Sequence, residues 1–350
     1  MRYLYVLLSR IVAILVSAML LAITYAPLAA QEQGDVQHLS LQSEALAGNS
    51  IGDSSTRSVS VYLPVAYQQF PDRKFPVLYL LHGYTDSNHK WFGQKDHWIN
   101  LPVLIDSLGI AQEEQFIVVM PNAYNSFQGS MYTNSSTTGH WEDFIAEELV
   151  TYMDENYRTV TSPEGRGLAG HSMGGYGTMR IGMKNSDVFG ALYAMSPCCL
   201  ESNLPTNAGL IKNIAKVTDP SMIDEQPFFV RISLAAAAAW SPNPNKPPMY
   251  YDLPYDENGA VIDSIADRFK ANEIIANLSD HQQGLQEIDQ ISIDVGNQDF
   301  MILKSSGVLH QHLDEMNIEN HYEVYDGDHT NQIGKRLGTH VLPFFAEYFQ

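Results

Sequence analysis

A pentapeptide of the form G-x-S-x-G at residues 170–174 constrains this chain more than any other stretch. The serine of such a pattern, here Ser172, occupies a strained turn between a strand and a helix, and the glycines let the helix pass close behind the strand. Residues 167–170 are short and apolar like a buried strand, and residues 176–184 contain good helix formers. The alternative interpretation, a glycine-rich and serine-rich surface loop, would not explain an apolar strand before the turn and a helix after it.

Apolar strands alternate with amphipathic helices through most of the chain. Strands are expected at 59–63, 76–81, 116–120, 167–170, 190–195, 291–295 and 321–325. Helices are expected at 98–108, 141–157, 176–184, 262–278, 300–316 and 337–348. This alternation is typical of an α/β fold with a mostly parallel central sheet and helices on both faces.

The alternation stops between about residues 198 and 258. Prolines and tyrosines cluster there, so we expect a Pro/Tyr-rich insert near the functional site, an ordered loop or cap and not a second domain. The alanine run at 235–239 within it is expected to form a helix or a tightly packed segment. Residues 31–57 are polar and predict a lead-in segment, which places the main domain at 58–350.

Residues 1–30 have the composition of an export signal, with Arg2 and Arg10 near the front and an apolar core after them. Cleavage after Ala30 would deliver a periplasmic or extracellular protein without stable membrane association. A retained N-terminal anchor is the alternative, because the apolar segment is almost long enough to span a bilayer. Loss of the two arginines would change the net charge from −20 to 18 − 40 = −22.

The strong negative charge and the sparse cysteines limit the chemistry further. A net charge of −20 repels phosphate backbones, so nucleic acid is not an expected partner. The two cysteines, Cys198 and Cys199, are adjacent and are expected to form a buried thiol pair and not a stabilising disulfide. The histidines lack metal-ligand spacing, and we expect neither a metal nor another cofactor.

A nucleophilic serine needs a base, and the base needs an acid to orient it. After this type of turn the acid precedes the histidine in the chain, and two loops that follow strands supply them. We expect Asp299 to be the acid, with Asp294 as the alternative inside the preceding strand. We expect His329 to be the base.

Three nearby candidates are assigned structural roles. Asp328 is expected to cap a turn, while His321 and His340 fall within a strand and a helix. Backbone donors for an oxyanion are expected from Met173 and from Tyr84, with Gly83 as the substitute for Tyr84. The alternative for the Gly83 segment is an ordinary glycine turn.

These motifs together resemble the "Putative esterase" family, which includes S-formylglutathione hydrolases, feruloyl and acetylxylan esterases, tributyrin esterases and mycolyltransferases. The similarity covers residues 59–349. It is carried by L-L-H-G at 80–83, Y-T-N at 132–134, W-E-D-F-I at 141–145 with E-L at 148–149, G-H-S-M-G-G at 170–175 and D-G-D-H at 326–329.

The resemblance implies an α/β-hydrolase fold with Ser172 as nucleophile, Asp299 as acid, His329 as base, and Tyr84 and Met173 as oxyanion donors. It predicts an exported serine carboxylesterase that hydrolyses small-molecule or carbohydrate esters through an acyl-enzyme, with short-acyl, carbohydrate-linked or phenolic groups. An export signal fits poorly with an S-formylglutathione hydrolase. An acyltransferase with the same three residues, or a non-catalytic carbohydrate-binding protein, are the alternatives, and homo-oligomerisation stays open.

Overall fold

The central feature of the computed structural model is an eight-stranded sheet in the order β1-β2-β4-β3-β7-β8-β9-β10. The structure describes residues 33–95, 97–201 and 204–350, and Gly34–Gln350 forms one compact unit. The export signal predicted at 1–30 lies outside the described residues. The strands are β1 Asp35–Gln42, β2 Thr56–Leu63, β3 Val77–Leu81, β4 Ile117–Pro121, β5 Asn134–Ser135, β6 Gly139–His140, β7 Arg166–His171, β8 Ala191–Met195, β9 Gln290–Gly296 and β10 His321–Tyr325.

The sheet is parallel from β4 to β10, and β1 and β2 add two antiparallel strands at one side. Strands β5 and β6 form a separate two-stranded ribbon. Because the parallel strands all end at the same edge, the loops that leave β3, β7, β9 and β10 are brought together there.

Helices cover both faces of the sheet. The α-helices are α1 Val65–Gln69, α2 Asn88–Trp91, α3 Leu101–Ser107, α4 Trp141–Asp143, α5 Val150–Asn156, α6 Met173–Lys184, α7 Ala208–Ala215, α8 Phe228–Trp240, α9 Asp263–Lys270, α10 Ile274–Asn277, α11 Gln282–Glu287, α12 Leu303–Glu315, α13 Ile333–Arg336 and α14 Leu342–Tyr348. Two π-helical stretches, Phe144–Leu149 and Leu337–Val341, connect α4 to α5 and α13 to α14.

The central strand β3 shows how the two layers of core arise. Val77, Tyr79 and Leu81 pack into the core on one face, whereas Leu78 and Leu80 pack into the core on the other. Alternate side chains of a strand point to opposite faces, and here both faces are buried. The continuous apolar runs in the sequence therefore predict the covered parallel strands correctly.

The helix predicted at 141–157 forms, but not all of its acidic side chains face solvent. Glu142 is buried because Arg180 donates to its Oε1 at 2.8 Å and Lys184 to its Oε2 at 2.7 Å. Charge pairing across two helices thus keeps Glu142 buried, although an acidic residue of an amphipathic helix ordinarily lies on its polar face.

Other boundaries differ because local signals compete with periodicity. The helix predicted from residue 98 begins at Leu101, where Asn100 caps the first turn and Pro102 occupies it. The helix predicted at 262–278 is divided into α9 and α10, and the one predicted at 337–348 starts earlier, at α13. Strand β1 lies within the predicted lead-in segment 31–57 and pairs with β2 along eight residues.

The insert at 198–258 is more helical than the predicted loop or cap. It contains α7 and α8, and the alanine run at 235–239 is buried in α8. The prolines cluster after α8, where residues 242–254 turn without a regular element. Among the described residues, we find no helix with the length and apolarity needed to cross a membrane.

Candidate active site

Ser172 occupies a strained backbone position between β7 and α6. Its φ is 57° and its ψ is −112°, which is unusual for a residue with a side chain. A Cβ on Gly174 would lie 2.0 Å from the carbonyl oxygen of Leu81, and one on Gly170 would lie 2.4 Å from the Gly174 backbone. Glycine is thus required at both positions by the close passage of α6 behind β7 and β3.

The Ser172 side chain meets a histidine from a distant loop. His329 Nε2 lies 2.9 Å from Ser172 Oγ, and His329 Nδ1 lies 2.6 Å from Asp299 Oδ2. Asp299 is buried, and a proton on His329 Nδ1 would be donated to its carboxylate and would leave Nε2 free to accept from the serine hydroxyl. The structure brings together the three side chains that the sequence predicts, while their chemical roles stay predictions.

Asp294, the alternative acid, has other partners. It is buried in β9, and its Oδ2 accepts hydrogen bonds from Arg336 Nε at 2.8 Å and Tyr193 OH at 3.0 Å. Burial raises the pKa of Asp294 to about 6, and Arg336 opposes that shift. These contacts give Asp294 a structural position beneath the loops, whereas Asp299 faces His329.

The segment predicted to supply an oxyanion donor lies beside the serine. A Cβ on Gly83 would lie 3.6 Å from Ser172 Cβ, so the loop after β3 passes directly over the turn. A Cβ on Gly129 would approach both the Tyr84 ring and Met173 Sδ, at 2.6 and 2.7 Å. Met173 begins α6, where a backbone N–H has no acceptor within the helix. The roles of the Tyr84 and Met173 amides as donors stay predictions.

Two buried histidines, His171 and His82, contact the loops that contain His329 and Gly83, and neither was expected to have a role. His171 Nε2 donates to the His329 carbonyl at 2.8 Å, and burial lowers the pKa of His171 to about 3. His82 Nδ1 donates to the Gly83 carbonyl at 2.8 Å while its Nε2 accepts from the Ala123 amide at 2.9 Å. Burial lowers the pKa of His82 as well. Their positions at the ends of β7 and β3 were the available signal.

Cys198 links the insert to the serine. Its backbone N–H donates to the Ser172 carbonyl at 3.1 Å. Cys198 is buried, Cys199 is half-buried, and both are free thiols with their sulfurs 2.7 Å apart. The hydrogen bond to Cys199 and burial raise the pKa of Cys198 well above its ordinary value. The two thiols lie side by side and the absence of a disulfide between them stays a prediction, whereas the contact of Cys198 with Ser172 was not expected.

Structural roles were expected for three further residues, Asp328, His340 and His321. Asp328 Oδ1 accepts from the amides of Thr330 and Asn331 at 2.8 Å each, which is the predicted turn cap. His340 contacts Arg336 and Glu323 on the far side of the last helices, and His321 is exposed in β10. No group of three or more His, Cys, Asp or Glu side chains suited to a metal occurs among residues 33–95, 97–201 and 204–350.

Comparison with known proteins identifies relatives of this chain. The family described as "Putative esterase" matches residues 49–333. An endo-1,4-beta-xylanase/feruloyl esterase of Xylanibacter ruminicola is 31% identical over 161 residues, which are 45% of this chain and 21% of that protein. The chain thus matches about a fifth of the length of this relative.

Solved structures share the architecture. A ferulic acid esterase aligns with a TM-score of 0.62 and 24% identity, covering 91% of this chain and 99% of the other. An S-formylglutathione hydrolase from Staphylococcus aureus aligns with a TM-score of 0.57 and 16% identity, covering 91% of this chain and 100% of the other. At these identities the likeness concerns the fold, which is the predicted α/β-hydrolase fold.

Proposed function

The chain belongs to the "Putative esterase" family of α/β-hydrolases, and from this membership we propose that it hydrolyses carboxylic esters through an acyl-enzyme on Ser172. The observation that carries the proposal is the continuous hydrogen-bonded path from Ser172 Oγ to His329 at 2.9 Å and from His329 to Asp299 at 2.6 Å. This path gives a weak nucleophile the oriented base that acyl transfer needs.

Acylation begins when Ser172 Oγ attacks the ester carbonyl carbon and His329 Nε2 takes the hydroxyl proton. The Asp299 carboxylate then faces an imidazolium, whose charge it stabilises across a hydrogen bond. The tetrahedral intermediate collapses as His329 gives the proton to the leaving alcohol. Water repeats the sequence on the acyl-enzyme and releases the carboxylic acid and the free serine.

The negative oxygen of each tetrahedral intermediate needs preorganised donors. We assign these to the backbone N–H groups of Met173 and Tyr84, with Gly83 as the substitute for Tyr84. The support is the position of Met173 at the start of α6 and the 3.6 Å approach of a Gly83 Cβ to Ser172 Cβ. Backbone donors cannot rotate away, so they would remain aligned through both half-reactions.

The proposed substrates are short-acyl, carbohydrate-linked or phenolic esters. One matched relative is named an endo-1,4-beta-xylanase/feruloyl esterase and one structural neighbour a ferulic acid esterase, which supports the phenolic part of this range. The insert begins beside the serine, since the backbone N–H of its first residue, Cys198, donates to the Ser172 carbonyl at 3.1 Å.

The reaction is tested by comparing Ser172→Ala with Ser306→Ala on p-nitrophenyl acetate. Ser306 is a buried serine of α12 whose hydroxyl makes no hydrogen bond among the described residues, so it is a matched control. We expect Ser172→Ala to lose the burst and the turnover and to fold normally, while Ser306→Ala retains both. Burst kinetics in the Ser172→Ala protein would refute the proposal, and product partition between water and an added alcohol measures any acyl transfer.

We further propose that residues 1–30 direct export to the periplasm or the medium. This rests on the charged front, apolar core and small residues before Gln31. Expression of the full chain in a bacterial host, followed by fractionation and N-terminal sequencing, should give protein beginning at Gln31 outside the cytoplasm. A full-length protein retained in the membrane fraction would instead identify an anchor.

A further inference from the structure

A cavity of about 340 Å³ lies between the insert and the segment that follows Asp299. Its wall combines side chains from α7, α8 and α9 with the proline-containing segment after α8. Most of this wall is hydrocarbon, as shown by Leu204, Leu210, Ile214, Ile232, Trp240 and Phe269.

The cavity lies beside the turn that carries the reacting serine, and part of its wall is exposed to solvent. Cys198 lines it, and the Cys198 backbone N–H donates to the Ser172 carbonyl at 3.1 Å. Met301 also lines it, two residues after Asp299, and is 60% exposed, while Phe229 on α8 is 52% exposed. These two side chains therefore mark the solvent-exposed part of the cavity, and Cys198 marks the part next to the turn of Ser172.

The polar groups of the wall are few, and its two hydroxyl groups already have partners. Ser233 Oγ donates to the Phe229 carbonyl at 2.7 Å, and Tyr255 OH donates to the Pro205 carbonyl at 2.8 Å. Glu201 is the one charged side chain among the described residues that line the cavity. A hydroxylated or anionic group would lose its hydrogen bonds to water here and find no matching donors in the wall. A hydrocarbon chain has no such bonds to lose, and its burial is favourable.

From these observations we propose that the cavity binds the acyl group of the substrate, and that this group is an unbranched aliphatic chain longer than acetyl. The inference rests on the proposed esterase function and narrows its range of acyl groups. The carbonyl carbon lies at Ser172, the chain extends past Cys198 along α8, and the alcohol portion leaves on the solvent side. Phenolic acids become poorer substrates because their hydroxyl groups meet the apolar wall.

The test is a chain-length series measured on two alanine-to-leucine variants. Ala236 lines the cavity on α8, whereas Ala215 is exposed at the end of α7 and lies outside the lining. For wild type we expect kcat/KM to rise by up to about fourfold per methylene from p-nitrophenyl acetate to hexanoate, which corresponds to ~0.8 kcal/mol for each buried methylene. Ala236→Leu should lower hexanoate and octanoate turnover at least about tenfold and change acetate less than about twofold. Ala215→Leu should keep the wild-type profile.

Two results would overturn the acyl-chain site. One is a wild-type preference for acetate or for methyl ferulate over hexanoate, and the other is an equal loss for acetate and hexanoate in folded Ala236→Leu. Either result leaves the proposed function intact as long as acetate turnover depends on Ser172. Absence of any Ser172-dependent turnover would refute the proposed function instead.

A second variant tests the same wall in the opposite direction. Ile232 is half-buried on α8 and lines the cavity, so Ile232→Ala enlarges it with little loss of core packing. We expect the preferred chain to become longer by about two carbons, since the removed side chain leaves room for that length. An unchanged optimum in the folded Ile232→Ala protein would count against the site even if Ala236→Leu did not fold.

Discussion

Burial of His171 predicts a specific acid sensitivity of the fold. The ring is enclosed at the end of β7, and burial lowers the pKa of His171 to about 3, against about 6.5 for an unfolded histidine. At a pH between these two pKa values, His171 binds a proton in the unfolded chain but not in the folded protein. Stability from this group is therefore fully present above pH 6.5 and is lost as the pH falls towards 3.

The magnitude follows from the width of that window. From pH 6.5 to pH 5 the loss is about 1.4 kcal/mol per pH unit, or about 2 kcal/mol in total. His171→Gln removes the titrating ring but keeps a side-chain N–H that can donate to the His329 carbonyl. The free energy of unfolding of this variant should therefore fall by about 2 kcal/mol less than that of wild type between pH 7 and pH 5.

Urea unfolding at pH 7, 6 and 5 measures this difference directly. His312→Gln provides the matched control because His312 is an exposed histidine on α12. His82 is buried and its pKa is lowered too, but it is present in every variant and cancels in the comparison. An identical pH dependence in wild type and His171→Gln would refute the reasoning, because it would mean that the folded protein accepts the proton at His171.

Two further predictions concern the acid and the glycine turn. Asp299→Asn should lower kcat by about 10³- to 10⁴-fold through loss of the correct His329 tautomer. Asp294→Asn should retain most of kcat and mainly lower the melting temperature. Similar kcat values for the two variants would contradict the assignment of Asp299 as the acid. Gly174→Ala should destabilise the fold by several kcal/mol because its Cβ would lie 2.0 Å from the Leu81 carbonyl oxygen, while Gly334→Ala in α13 adds a Cβ with nothing within 4 Å and should be neutral or stabilising by up to ~1 kcal/mol. Equal melting temperatures of the two glycine variants in thermal denaturation would contradict the prediction for Gly174.

The parts of the site that could be predicted from the sequence depend on order along the chain. Ser172 is marked by its flanking glycines, and His329 and Asp299 follow strands that end at the same edge of the sheet. Parallel strands bring these loops together wherever they occur in the sequence, so loop position alone was informative.

Other features depend on contacts that no local pattern contains. Glu142 is buried only because Arg180 and Lys184, about forty residues later, reach it across a helix pair. His171 donates to the His329 carbonyl and His82 accepts from the Ala123 amide, and such partners in other loops have no sequence signature. The contact of Cys198 with Ser172 likewise arises from the turn after β8, where the chain enters the insert.

The insert was misjudged for a related reason. Its prolines and tyrosines indicate a loop, yet α8 is built on an alanine run whose small side chains allow close packing against the body of the protein. Composition averaged over 198–258 concealed this helix, because the prolines lie before and after it and not within it.

The absence of a side chain at Gly174 has a mechanical consequence. Helix α6 rests directly on the Leu81 carbonyl, and the loop containing Gly83 and Tyr84 departs from that same residue. Backbone in contact with backbone leaves no flexible atoms to absorb a displacement, so β3 and the start of α6 move as one body. Thermal fluctuation of the insert then changes the shape of the cavity without altering the separation between Ser172 and the loop above it.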